Sequence, residues 1–176
     1  MSGFPMGIEA KRFQSRWNSD KTASAHGLPE DSLLPRDTRR SLPLMMLRAR
    51  DVVMARFRPF LMQHDLSEQQ WRVLRVLGEV DQMDSREVAE RACLMAPSLT
   101  RIVRALETRR LIVKRRHPDD ARRIFLSITP AGIDLIRLLS REGRASFDEF
   151  RLKFGEDRLE LLLDMLSDIV ALRQEK

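Results

Sequence analysis

From residue 41 onward the apolar residues recur mostly at helical spacing, and in two short stretches they run or alternate as in a strand. After Ser41, the residues Leu44, Met46, Leu47, Val53, Met54, Phe57, Phe60 and Leu61 share one broad arc of a wheel turned by about 100° per residue. Arg48 and Arg56 lie outside it. This pattern predicts a long amphipathic helix, kinked near Pro59, whose ring removes a backbone donor and crowds the preceding turn. Two more helices open with one device. In LSEQQW, Ser67 and Gln70 fit a capping box, and Leu66 can staple against Trp71. In MDSREV, Asp84 and Glu87 repeat the box, and Met83 can staple against Val88. That second helix is short, about Ser85 to Arg91. After the loop ACLMA, Pro97 suits the first position of a third helix running to about Arg109, because the first turn leaves its N–H groups unpaired anyway. Leu99, Ile102, Val103 and Leu106 make the apolar face of this third helix. Arg101, Arg104 and Thr108 stand opposite, with Ser98 and Thr100 near its start.

Leu111-Ile112-Val113 and Ile124-Phe125-Leu126-Ser127-Ile128 predict two short strands around a charged tip. A helix-turn-helix followed by a β-hairpin is a winged helix, so the fold class is mainly α with a small β-hairpin wing. Thr129 then caps another helix with Pro130 as its first residue, and Ile133, Ile136 and Leu139 continue it. The last apolar stretch, DRLELLLDMLSDIVALRQ, carries Leu159, Leu162, Leu163, Leu166, Ile169 and Val170 in a three-and-four repeat. Such a helix either completes the core or pairs with a second copy, together with the helix after Ser41; we favour the homodimer. The expected organisation is an arm over 1–40, a dimerisation helix over 41–66, a winged helix-turn-helix over 67–129 and dimerisation helices over 130–176.

Charge sharpens this picture once it is located. Residues 96–123 hold nine Arg or Lys and three Asp or Glu, whereas the other 148 residues hold 23 of each sign. The whole net charge of +6 therefore sits on the third helix and the hairpin. A localised excess of this kind is the footprint of a polyanion partner. On the third helix, Arg101 and Arg104 can reach guanine edges or phosphates, while Pro97, Ser98 and Thr100 bring its N-terminal turn close to the backbone of a duplex. On the wing, Arg115, Arg116, Arg122 and Arg123 surround Asp120, which lies two residues from Arg122 and can shape the loop while another arginine enters a minor groove. The candidate DNA contacts are therefore Pro97, Ser98, Thr100, Arg101, Arg104, Arg115, Arg116, Asp120, Arg122 and Arg123. Double-stranded DNA is the expected partner, and a two-fold dimer implies a palindromic operator.

Other chemistries find little support. One cysteine, Cys93, allows no internal disulfide framework and fits a reduced cytoplasmic setting. His26, His64 and His117 are too scattered to give a zinc-type ligand spacing, so no metal or cofactor is expected. No apolar run approaches the roughly 20 residues of a membrane span. No phosphate loop or nucleophile elbow is present, and an enzyme is not expected. A winged-helix module that binds protein is the competing class, and the basic face argues against it.

The stretches LSEQQWRVLRVL, SREVAERACLMAPSLTRIVRALETRRLI and DDARRIFLSITPAG resemble the multiple-antibiotic-resistance-regulator (MarR) family. In the last of them, Asp120, Arg122, Leu126, Thr129 and Gly132 fall on the family's D-x-R…L…T…G wing signature. The resemblance covers about residues 41–173 and leaves the arm before Ser41 outside. Within the family, these stretches look most like repressors of aromatic-acid degradation operons. The resemblance implies a dimeric winged-helix repressor that releases its operator on binding a small aromatic acid.

One residue breaks the pattern of the first helix. Arg50 falls inside the apolar arc, between Phe57 and Leu61 in angle. A guanidinium placed there needs a carboxylate, since burying it unpaired is very unfavourable. Either an Asp or Glu supplies that partner, or the carboxylate of an aromatic acid does, held by a two-bond fork. With Met54, Phe57 and Trp71 to line a ring, the candidate ligand residues are Arg50, Met54, Phe57 and Trp71. His64 either meets a phenolic ligand or ends the helix. Cys93 reads as a small buried residue, with a thiolate oxidant sensor as the alternative.

Overall fold

The computed structural model describes residues 38, 40–116, 120 and 123–172. The chain falls into two compact units, residues 1–50 and 51–176. In the first, the described residues are Thr38 and those from Arg40 onward, so the expected arm lies almost wholly outside them. Helix α1 (Leu42–Ala55) starts there and crosses into the second unit. Its entry is held by Ser41, whose N–H donates to the Thr38 carbonyl at 3.3 Å and whose carbonyl accepts from Met45 N at 2.9 Å. Large apolar side chains along α1 stay exposed, Leu47 at 63% and Leu42 at 58%.

Within the second unit the expected long helix breaks after Ala55. Arg56 N donates to Val53 O at 3.2 Å and Phe57 N to Met54 O at 2.9 Å, tight turns that end α1. Helix α2 (Arg58–Gln63) then starts afresh with Pro59 in its first turn. The proline thus divides two helices rather than bending one, because only a first turn tolerates its missing donor. Helix α3 (Glu68–Leu77) carries the capping box as expected: Gln70 N donates to Ser67 Oγ at 3.1 Å and Ser67 N to Gln70 Oε1 at 2.9 Å.

Asp84 differs in two ways. Its carboxylate does cap helix α4 (Ser85–Arg91), accepting from Arg86 N at 2.9 Å. The expected return bond from Glu87 is replaced by an ion pair with Arg91 at 2.7 Å, since an arginine four residues on competes for the same carboxylate. In addition, Met83–Asp84 forms a short strand β1, which no alternation announced. Helix α5 (Ala96–Thr108) buries Leu99, Ile102, Val103 and Leu106, as its pattern required. Strands β2 (Ile112–Arg116) and β3 (Ile124–Ile128) make the hairpin. The antiparallel sheet has the order β1-β3-β2, with Met83 opposite Leu126 and Lys114 also opposite Leu126. β2 runs past Val113 through three basic residues, because backbone pairing on an exposed hairpin is indifferent to outward charge.

Helix α6 (Pro130–Phe154) is capped by Thr129, whose Oγ1 accepts from Gly132 N at 3.1 Å. Gly132 sits so close to β2 that an added Cβ would lie 2.3 Å from the Leu111 carbonyl oxygen and 2.6 Å from Ile128 Cγ1. Only glycine lets the hairpin return flush against the helix start. Gly155, at φ 99°, turns the chain into helix α7 (Glu156–Ala171). On α7 the expected stripe divides: Leu159 is buried and Leu162 and Leu166 half-buried, while Leu163, Ile169 and Val170 are exposed with Leu161 and Met165. The core gathers Val73, Leu74, Leu77, Val88, Leu106, Ile112 and Leu126, so α3, α4, α5 and the sheet form one packed body.

Candidate nucleic-acid interface and ligand cleft

The burial of Leu99, Ile102, Val103 and Leu106 fixes the rotation of α5 and turns Arg101 and Arg104 outward, both exposed. Pro97 and Thr100 are exposed near its N-terminus and Ser98 is half-buried. The Thr100 hydroxyl donates to Ala96 O at 3.2 Å, which leaves its lone pairs as acceptors for an outside partner. Arg115 and Arg116 are exposed on β2. Asp120 is exposed, and its carbonyl accepts from Arg123 N at 2.9 Å. Arg122, and with it the expected pair to Asp120, lies outside the described residues.

Arg123 holds the base of the wing. Its Nε lies 3.2 Å from Asp84 Oδ2, and its guanidinium stands 5.4 Å from the centre of the Phe125 ring. Asp84 thereby serves two structures at once. The Arg86 N–H, helped by the Arg123 guanidinium, holds its carboxyl below the usual carboxylate range. The start of α4 and the returning strand of the wing are joined through this carboxylate.

A second feature lies between α2, α3 and α6, an open cleft of about 770 Å³. Phe57, Trp71 and Phe147 form its aromatic wall, and Phe57 and Phe147 meet with ring centres 6.1 Å apart. Gly143 is buried beside it and lets Phe57 approach: a Cβ there would already touch the ring at 3.4 Å. Arg75, Arg144 and Arg151 also line the cleft, against one carboxylate, Asp148. Arg151 is engaged by Glu156 and lies 3.8 Å from Asp148. Among the described residues, no carboxylate lies within ion-pair distance of Arg75 or Arg144. The Arg75 guanidinium instead stands 6.0 Å from the Trp71 ring.

Of the four ligand residues read from the sequence, Phe57 and Trp71 line this cleft. Met54 is partly buried against the core. Arg50 is exposed and belongs to the first unit. Sequence reasoning misses the cleft arginines, although Arg75 follows Trp71 by one helical turn, a spacing visible in the sequence. Arg144 and Phe147 join only through the packing of α6 against α2. His64 ends α2 as its C-cap, and its Nε2 lies 3.0 Å from Glu142 Oε2, so the helix-ending role is met and the ring is held by a carboxylate. Cys93 corrects an expectation: it is exposed, at φ 51°, in the turn before α5, because the left-handed bend directs its side chain away from the core. Among the described residues, no group of three metal-ligating side chains occurs, and no helix is long and apolar enough to cross a membrane.

A helix-turn-helix whose last helix offers arginines beside a basic β-hairpin defines a winged-helix, DNA-binding transcription regulator. Residues 66–124 match the model of the MarR family. The chain is 33% identical over 138 residues to the homoprotocatechuate degradative operon repressor of Escherichia coli, which spans 77% of this chain and 93% of that protein. It is 33% identical over 129 residues to the HTH-type transcriptional regulator FarR of Neisseria gonorrhoeae, spanning 73% of this chain and 88% of that one. The crystal structure of NadR in complex with 4-hydroxyphenylacetate superposes with a TM-score of 0.69 at 32% identity, over 81% of this chain and 97% of NadR. The chain belongs to the MarR family and is a transcriptional regulator.

Proposed function

We propose that this protein is the repressor of an aromatic-acid degradation operon, binding a palindromic operator as a homodimer and leaving it when a small aromatic carboxylic acid binds. One observation carries the ligand class: an aromatic-walled cleft that holds Arg75 and Arg144, neither with a carboxylate partner among the described residues. An aromatic acid satisfies both halves, its ring against Phe57, Trp71 and Phe147 and its carboxylate on a guanidinium fork. The name of the Escherichia coli relative and the 4-hydroxyphenylacetate bound to NadR point to the same class of molecule. Arg50 is the arginine that the sequence pattern alone offers for the carboxylate. The exposed apolar side chains of α7 support the homodimer, since Leu161, Met165 and Ile169 recur every fourth residue and offer an apolar stripe for a second copy to cover.

The test is a release assay on a duplex selected by the protein from a randomised pool, followed by fluorescence anisotropy during titration with 4-hydroxyphenylacetate, homoprotocatechuate and benzoate. Wild-type protein releases the duplex. Arg75→Ala and Arg144→Ala proteins hold the duplex but need at least tenfold more acid, whereas Arg50→Ala separates the two assignments of the carboxylate. Release at unchanged acid concentration in all three variants refutes the site. Exposed Cys93 supports a thiol trigger on the same fold as the second reading. Peroxide treatment that leaves operator affinity unchanged eliminates it.

A further inference from the structure

The cleft and the recognition helix are separate features, yet one short turn touches the elements of both. Phe60 and Leu61 of α2 line the cleft, and the His64–Asp65 turn follows directly on the end of that helix at Gln63. Asp65 adopts φ 50°, a left-handed conformation that is unfavourable for a residue with a side chain. Arg109, the C-cap of the recognition helix α5, donates from Nη1 to Asp65 O at 2.8 Å and from Nη2 to His64 O at 2.9 Å. One planar guanidinium therefore grips two successive carbonyls. From the other side, the His64 ring meets Glu142 of α6 at 3.0 Å, and the next two residues of α6, Gly143 and Arg144, line the cleft.

We propose that Arg109 is a positioning residue that couples ligand in the cleft to the orientation of the recognition helix, through its clasp on the His64–Asp65 turn. The inference rests on the ligand reading of the cleft. A ligand that draws α2 and α6 together displaces the turn, because the turn is tied to both. The clasp passes that displacement to the end of α5 as a rigid shift, since two hydrogen bonds to a planar fork resist rotation where one would not. The recognition helix then leaves the geometry that fits the groove. Ligand can alter operator affinity only to the extent that it favours one of these two arrangements over the other.

The experiment measures two quantities on full-length wild type, Arg109→Lys and Arg109→Ala: 4-hydroxyphenylacetate affinity from Trp71 fluorescence, and operator affinity with and without saturating acid. The second tryptophan, Trp17, is replaced by Phe in every protein so that the signal belongs to Trp71. In the variants the acid still binds within threefold of wild type, but the ratio of operator affinities without and with acid falls at least fivefold toward unity. Lysine, offering a point charge, keeps part of the ratio and alanine none. A merely structural role would lower thermal stability and leave the ratio intact, so melting curves accompany each variant. Should alanine prevent folding, hydrogen exchange on wild type gives the independent readout: acid must change protection of the Arg109 and Arg110 amides, which bond to Ala105 O and Glu107 O. Unchanged protection there, or an unchanged ratio in Arg109→Lys and Arg109→Ala, overturns the coupling while leaving the cleft assignment standing. Wild type that binds neither 4-hydroxyphenylacetate nor homoprotocatechuate nor benzoate by the same Trp71 signal overturns the cleft assignment and the coupling with it.

Discussion

Replacing Asp84 tests how far one carboxylate joins the helix-turn-helix to its wing. In Asp84→Ala, α4 loses the acceptor for Arg86 N, and loss of an N-cap costs about 1 kcal/mol. Arg123 also loses its partner at 3.2 Å; the arginine side chain is half exposed, so this pair contributes only ~0.2–1 kcal/mol. The sum is about 1.5 kcal/mol, which for a chain of this length lowers Tm by ~3–6 °C. Asp84→Asn separates the two effects, because asparagine still caps a helix but carries no charge; its expected cost is ~0.5 kcal/mol. The Asp84→Ala, Arg123→Ala double-mutant cycle should return a coupling of similar size. Acid provides a further check. The Asp84 carboxyl lies below its ordinary value in the folded protein, chiefly through the Arg86 N–H and then through Arg123. Its contribution is therefore fully present above the unfolded value of about 3.9 and is lost as pH falls through the lowered folded value. The gap between wild type and Asp84→Asn should close in that acid range. Urea unfolding at one fixed protein concentration measures all of these, since the apparent stability of the proposed dimer would depend on concentration. An Asp84→Ala protein within about 0.3 kcal/mol of wild type, or an asparagine variant as damaged as the alanine one, would refute the account.

Three other outcomes follow from the same structure. Gly132→Ala forces a methyl group to within 2.3 Å of the Leu111 carbonyl, so it should destabilise by ~3 kcal/mol or more and loosen the wing, read by thermal melting and by proteolysis of the hairpin. Removing Arg101 or Arg104, if the contact is to phosphate, should lower the slope of log affinity against log salt by about two for the proposed dimer; a base-edge contact instead costs ~1–3 kcal/mol at each proposed half-site with relaxed discrimination. Unchanged operator binding in both alanine variants would remove α5 from the interface. Truncation after Phe154 deletes α7 with its exposed Leu161, Leu163 and Met165, and sedimentation should then show a monomer with weakened operator binding; a persistent dimer would place the interface elsewhere.

Local chemistry was sufficient to read most elements of this protein from its sequence. The Ser67–Gln70 box, the Thr129 cap with Pro130, and the helical spacing of Leu99, Ile102, Val103 and Leu106 each involve residues within one or two turns of each other. Such interactions are set by short-range geometry, and so was the exposure of Arg101 and Arg104, which follows once the opposite face is buried. Tertiary structure decided whatever joins distant segments. Strand β1 exists because Met83 and Asp84 find β3 some forty residues later, and two residues carry no periodicity of their own. Arg123 reads as one more charge on a basic run until Asp84 comes within 3.2 Å of it. The cleft arginines and the Arg109 clasp are of the same kind: Trp71 and Arg75 share a helix face, but Arg144, Phe147 and the His64–Asp65 turn meet their partners only when α2, α5 and α6 pack. Periodicity reports which face of a segment is buried, whereas the identity of the side chain across the gap is a property of the packed chain alone.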